Sequence, residues 1–145
     1  MPTVSKTALV SHSAADMYGL VDDVEAYPQF LPWCGGSRVI SRNEDEVHAG
    51  IDIAYGAVRK SFATRNRLQK NKMIEVRLVE GPFKHLHGFW RFDSLGENAC
   101  KVSFDMEYAF SNKLLGLAVG PVFSQIANSL VDSFCQRADA LYGKR

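Results

Sequence analysis

The stretch PVFSQIANSLVDSFCQRADAL, residues 121–141, sets Phe123, Ile126, Ala127, Leu130, Phe134, Ala138 and Leu141 at helical spacing. That spacing draws one apolar stripe along about 30 Å of helix. The chain before it, from about residue 35 to 110, reads as six strands in a row. An α+β arrangement follows, in which a lone helix covers one antiparallel sheet. The space between them is either a packed core or a tunnel, and that choice decides what the protein can do.

Working backward from the helix, Asn112-Lys113-Leu114-Leu115-Gly116-Leu117 predicts an extra helical turn or lid. Gly120-Pro121 then starts or bends the main helix, since proline is tolerated at a first helical position. Gly143 ends it, with Lys144 and Arg145 complementing the C-terminal dipole.

Residues 100–110 show the sheet most plainly. Cys100, Val102, Phe104, Met106, Tyr108 and Phe110 alternate with Lys101, Ser103, Asp105 and Glu107, which sends the apolar set to one face. The same test turns Leu86, Gly88, Trp90 and Phe92 inward over 84–95, and Ile74, Val76 and Leu78 inward over 72–80. Over 47–55 it selects Val47, Ala49, Ile51, Ile53 and Tyr55; over 58–68, Val58, Lys60, Phe62, Thr64, Asn66 and Leu68. Short polar turns join these runs, and a further strand at 37–42, into a meander.

At the other end, residues 4–10 read as a strand, and Ser13 caps a helix through about Val24 that presents Met17, Leu20, Val21 and Val24 on one face. Tyr27-Pro28-Gln29-Phe30-Leu31-Pro32-Trp33-Cys34 follows, and its two prolines predict a short helical turn and a corner.

The 145 residues make one domain with room for a sizeable core. A net charge of +1 argues against a bulk nucleic-acid footprint while leaving room for a local patch, and no DNA partner is expected. No apolar run approaches the roughly 20 residues of a membrane span, and the opening MPTVSKTALVSHS lacks a signal-peptide core. Cys34, Cys100 and Cys135 are unpaired in pattern, which fits reduced thiols in a cytoplasm.

Three details favour a cavity. Gly88 sits mid-strand on the inward face, as a bend or a pocket floor. Thr64 and Asn66 aim polar groups inward, where they must be bonded, hydrated or at a mouth. Trp33, Phe83 and Trp90 stand at or near loop ends, placed to gate an opening. Catalytic machinery is not legible: there is no nucleophile motif, phosphate loop or inward carboxylate pair. His48, His85 and His87 point outward, and His85 with His87 lacks a third metal ligand. A non-enzymatic protein with no metal and no required cofactor is expected.

The strings Tyr27-Pro28-Gln29-Phe30-Leu31-Pro32-Trp33-Cys34, Phe62-Ala63-Thr64-Arg65, Gly81-Pro82-Phe83-Lys84-His85-Leu86-His87-Gly88-Phe89-Trp90-Arg91-Phe92 and Phe134-Cys135-Gln136-Arg137-Ala138 together resemble the coenzyme Q-binding and RatA family of START-like proteins. The resemblance spans essentially the whole chain. It implies a helix-grip fold, a curved seven-stranded antiparallel sheet around a long C-terminal helix with a hydrophobic tunnel between them. It also implies two functions. The first is binding of ubiquinone or a related prenyl lipid in support of respiration, by a cytoplasmic protein with transient, peripheral contact at the inner membrane. The alternative is a ribosome-association toxin that binds the 50S large subunit and blocks subunit joining. An oligoketide cyclase is a more distant alternative, resting on fold alone.

For a quinone, Thr64 and Asn66 with Lys60 and Tyr55 would take the headgroup, and Phe62, Leu86, Trp90, Phe104, Ile126, Leu130 and Phe134 would line the tail. Each buried methylene contributes about 0.8 kcal/mol, so a tail could drive binding alone. Membrane contact would run through a lid of Phe83 and residues 114–119. For the ribosome, Arg59, Arg65, Arg67, Arg77 and Arg91 face outward, sharing that face with Glu75, Asp93, Asp105 and Glu107.

Overall fold

The strict alternation of residues 100–110 is realised in the longest-range pairing of the chain. In the computed structural model, which describes residues 2–143, β7 (Ala99–Phe110) lies between β6 (Phe83–Gly96) and the N-terminal strand β1 (Thr3–Val10). The order β1-β7-β6-β5-β4-β3-β2 is antiparallel throughout, with β5 at Met73–Glu80, β4 at Val58–Gln69, β3 at Glu46–Tyr55 and β2 at Cys34–Arg42. Strands β1 and β2 therefore occupy opposite edges. The chain between them crosses the inner face as α1 (Ala14–Asp22) and a 3-10 helix (Val24–Gln29). Register shifts in β2, β5 and β6 add the bulges that curve the sheet.

Ser13 caps α1 by accepting from the Asp16 N–H at 3.0 Å, and Met17, Leu20 and Val21 bury against the core. The helix stops at Asp22, slightly short of the predicted end. The Pro28 turn follows at once, anchored where Tyr27 donates its hydroxyl to the Val21 carbonyl.

The last helix differs from its expected form. Residues 112–117 are not a separate lid, and Pro121 does not begin a new helix: α2 runs unbroken from Lys113 to Tyr142. Proline removes only one helical hydrogen bond and crowds one carbonyl. The N-cap of Asn112, accepting from Leu115 N–H at 2.9 Å, and the burial of Val119 and Phe123 on either side of Pro121 hold the helix through it. Gly143 ends the helix with φ 79°, a backbone conformation that glycine adopts freely. The dipole role expected of Lys144 and Arg145 lies outside the described residues. By length and composition α2 could also cross a bilayer, because its first nineteen residues carry Lys113 as their one charge. Gly116, Gly120, Ser124, Gln125, Asn128 and Ser129 interrupt its apolar residues, so no unbroken apolar run of that length stands in the sequence. Here α2 lies over β1, β7 and α1.

Gly88 is explained by packing. A Cβ there would stand 3.0 Å from the Asp105 carbonyl oxygen and 3.2 Å from Met106 Cβ, so the glycine serves the close approach of β7 and is no pocket floor.

Candidate functional site: an apolar cavity under the C-terminal helix

Between the sheet and α2 lies a cavity in which the centre of a water-sized sphere can move through about 80 Å³. Its walls come from β3 (Ile51, Ile53), β4 (Phe62, Thr64, Asn66), β5 (Val76), β6 (Leu86, Trp90) and β7 (Phe104, Met106). Val24, Tyr27 and Trp33 close one side, and Phe123, Ile126, Ala127, Leu130 and Phe134 of α2 form the roof. Of the twelve residues expected to bind a ligand, Trp33, Phe62, Thr64, Asn66, Leu86, Trp90, Phe104, Ile126, Leu130 and Phe134 meet around this space.

Two do not. Tyr55, at the last position of β3, is 41% exposed: alternation gives its side, but the strand runs out beyond the helix that would cover it. Phe83 is no gate. It is buried in an aromatic cluster beside the cavity, stacked on Phe110 at 5.0 Å and edge-on to Phe123 at 4.9 Å and Phe62 at 5.6 Å. Lys60 also stands outside the lining. Trp90 is wall rather than gate, with Phe104 at 4.4 Å and Phe134 at 5.3 Å.

The cavity is also smaller than a long tunnel. By this measure a single water needs roughly 10–15 Å³, so the space suits a few waters or one small ring rather than a prenyl tail. The volume left beneath one helix is filled by α1 and the 3-10 segment, whose Met17, Leu20, Val21, Val24 and Tyr27 join the core together with Leu31 just beyond them. Tyr27 and Val24 were absent from the sequence-based site because nothing local shows that this segment crosses the inner face. Ile51, Ile53, Val76 and Met106 carried a signal in their alternation, and Phe123 and Ala127 in the helix stripe.

The chemistry of the lining is specific. Its one ionisable side chain is Tyr27, whose hydroxyl is committed to Val21 and whose pKa is pushed up, first by burial and then by Asp22. The polar end is the pair Thr64 and Asn66: the Thr64 hydroxyl donates to Asn66 Oδ1 at 2.9 Å. The buried Trp33 Nε1–H lacks an acceptor among the described residues. Such a lining disfavours a charged guest and leaves a donor for a neutral one with an acceptor oxygen. The thiols are inert in character: burial raises Cys34, and holds Cys100 and Cys135 at about 11, with Asp93 adding to the shift at Cys100 and Asp132 at Cys135.

On the outer face, Arg65 and Arg67 share Glu46 at 3.7 and 4.0 Å, Arg77 meets Glu75 at 3.1 Å, and Arg91 meets Asp105 at 3.5 Å. Arg59 instead donates to the Gly56 and Val58 carbonyls. His85 and His87 pair with Glu107 and Glu75 at 3.2 and 2.7 Å, and no group of metal ligands forms among the described residues.

The chain is 45% identical over 145 residues to a ribosome association toxin RatA of Escherichia coli, covering 100% of this chain and 92% of that protein. It is 24% identical over 145 residues to the mitochondrial coenzyme Q-binding protein COQ10 homolog B of Xenopus laevis, covering 97% of this chain and 59% of that one. A START superfamily protein from Mycobacterium smegmatis, 23% identical, superposes with a TM-score of 0.80 over 96% of this chain and 98% of its own, which shows the shared helix-grip architecture. The model of the polyketide cyclase / dehydrase and lipid transport family matches residues 10–135. With that match and a full-length RatA relative, the chain belongs to this family.

Proposed function

We propose that this protein associates with ribosomes, in the manner its RatA relatives are named for. The observation that carries the reading is likeness along the entire chain, 45% over all 145 residues. The large subunit is the expected target, as the family resemblance implies. The test is cosedimentation of the purified protein with isolated 50S and 30S subunits at low salt. Binding to 50S with loss of 70S particles is the expected result; no cosedimentation with either subunit would overturn the reading.

A second reading is favoured by the cavity itself: it holds a small, neutral, apolar ligand with an acceptor oxygen, such as the ring of a ubiquinone. An all but uncharged lining with an unpartnered donor on Trp33 supports it. In the described conformation a prenyl tail would have to leave the cavity or displace α2 side chains such as Leu130. The lining offers two hydroxyls, one amide and an indole N–H rather than an acid–base pair, which supports binding over cyclase chemistry. Native mass spectrometry of protein purified from a quinone-producing host should find a bound neutral lipid or ring compound. Consistently ligand-free protein would count against the reading.

A further inference from the structure

The outer face of the sheet carries a charge arrangement that stability does not favour. The register places His48 opposite Arg65, Arg65 opposite Arg77, and Arg77 opposite His87. Paired residues share a face, so four basic or protonatable side chains form one row across β3, β4, β5 and β6. Like charges directly opposite each other in a sheet are destabilising. The neighbouring carboxylates do not cancel the row. Glu46 is divided between Arg65 and Arg67, and Glu75 already accepts from His87 at 2.7 Å while meeting Arg77. Two carboxylates thus face three guanidinium groups, whose side chains are 53%, 67% and 61% exposed.

Beside this row runs a column of flat groups on β6. The His87 ring centroid lies 4.9 Å from that of Phe89, and the Arg91 guanidinium carbon sits 4.9 Å over the Phe89 ring. Phe89 is an aromatic on the water side of a sheet, half-buried, with Arg91 over its ring and Glu75 and Asp105 opposite it on the two neighbouring strands. A shallow surface depression opens next to it toward β7 and β1, lined by His87 and Phe89 together with Ser5, Asp105 and Glu107. Cationic side chains beside a stacking surface are what unpaired RNA bases and their phosphates require. Asp105 and Glu107 on β7 border the patch, where they meet Arg91 and His85.

We propose that this face is where the protein meets ribosomal RNA, with Arg65 and Arg77 neutralising backbone phosphate and Phe89 stacking on an unpaired base. The proposal rests on the ribosome-association reading above and names its contact surface. Because the chain is nearly neutral overall, binding depends on this local surplus of charge.

The test compares the wild-type protein with Arg65→Gln/Arg77→Gln and with Phe89→Ala, measuring binding to purified 50S subunits and to protein-free large-subunit RNA over a potassium chloride series. Each lost phosphate contact should reduce the slope of log affinity against log salt by roughly 0.7–0.9. The arginine variant should therefore bind more weakly with a slope smaller by about 1.5. Phe89→Ala should weaken binding by roughly tenfold or more with the slope unchanged, and Phe89→Trp should restore it. The arginine variant's melting temperature should stay level or rise as the like-charge contact is relieved, which separates lost contacts from lost folding. Wild-type binding to 50S with both variants equal to it would overturn this proposal and leave ribosome association standing. Variants that lose 50S binding while wild type ignores protein-free RNA would assign the face to a ribosomal protein and also overturn it. Absence of wild-type binding to 50S would instead overturn the reading beneath.

Discussion

The Thr64 hydroxyl donates to Asn66 Oδ1 at 2.9 Å, two residues along the buried face of β4. In any strand, residues i and i+2 share a face, so the sequence alone makes these two neighbours. Their burial makes the bond matter: each satisfies part of the other's desolvation.

Replacing one member of this pair should cost more than replacing both. Asn66→Leu leaves the Thr64 hydroxyl without its acceptor and should destabilise by about 1–3 kcal/mol. Adding Thr64→Val should return most of that loss, since an apolar pair of similar shape is nearly neutral. Urea unfolding of the two single variants and the double variant measures this coupling. If the cavity holds an acceptor-bearing ligand, the double variant should fold and purify without it.

Filling the cavity separates its ligand from its role in folding. Ala127 lies 1% exposed on the roof. Ala127→Leu should occupy much of the space, leave stability within about 1–3 kcal/mol of wild type, and exclude the ligand. Removing wall has the opposite character: Phe104→Ala should cost about 3–5 kcal/mol. Thermal denaturation with native mass spectrometry distinguishes the two.

The helix that roofs the cavity is tied down at its far end by His12, whose Nε2 lies 2.8 Å from Asp139 Oδ1 across 127 residues of sequence. His12 is 1% exposed. His12→Ala should destabilise by about 1–3 kcal/mol. It should also raise amide hydrogen exchange over residues 136–142 while leaving β6 and β7 protected. Uniform loss of protection would show that the contact supports the whole fold rather than the helix end.

Glu75 provides the pH dependence. The hydrogen bond from His87, and then the charges of Arg77 and His87, hold its carboxyl below the usual carboxylate range, with partial burial opposing them. A depressed folded pKa means that the stabilisation is fully present above the ordinary unfolded value, about 4.3. It is lost as pH falls through the depressed one. The Glu75 carboxyl resonance should therefore titrate below about pH 4.3, and His87→Gln should move it upward. The stability difference between wild type and Glu75→Gln should shrink as pH falls through that titration and be absent below it.

Side and strand were readable where a pattern was long. Six alternating apolar residues from Cys100 to Phe110 leave one register that buries them all, because a slip by one residue would turn the whole set to water. The same reasoning placed Phe62, Thr64, Asn66, Leu86, Trp90 and Phe104 around the cavity, and helical spacing placed Ile126, Leu130 and Phe134 there. It misplaced Tyr55, since alternation tells which way a side chain points and not whether anything lies above it. It misplaced Phe83 because proximity to Gly81-Pro82 suggests a loop end, whereas Phe62, Phe110 and Phe123 enclose the ring.

Pro121 shows the limit of local rules. Read alone it starts or bends a helix; in the fold the helix runs through it, and burial of Val119 and Phe123 on both sides outweighs one missing hydrogen bond.

The amino-acid order by itself determined the seven strands, the apolar stripe of the last helix and the two polar side chains on the inner face of β4. Each of those is set by periodicity, which is a property of neighbours in the chain. Tertiary structure alone decided the size of the cavity, because α1 and the 3-10 turn cross beneath the sheet and take up its volume. It also decided that Arg65 should face Arg77, because which residues lie opposite each other in a sheet depends on how distant segments align.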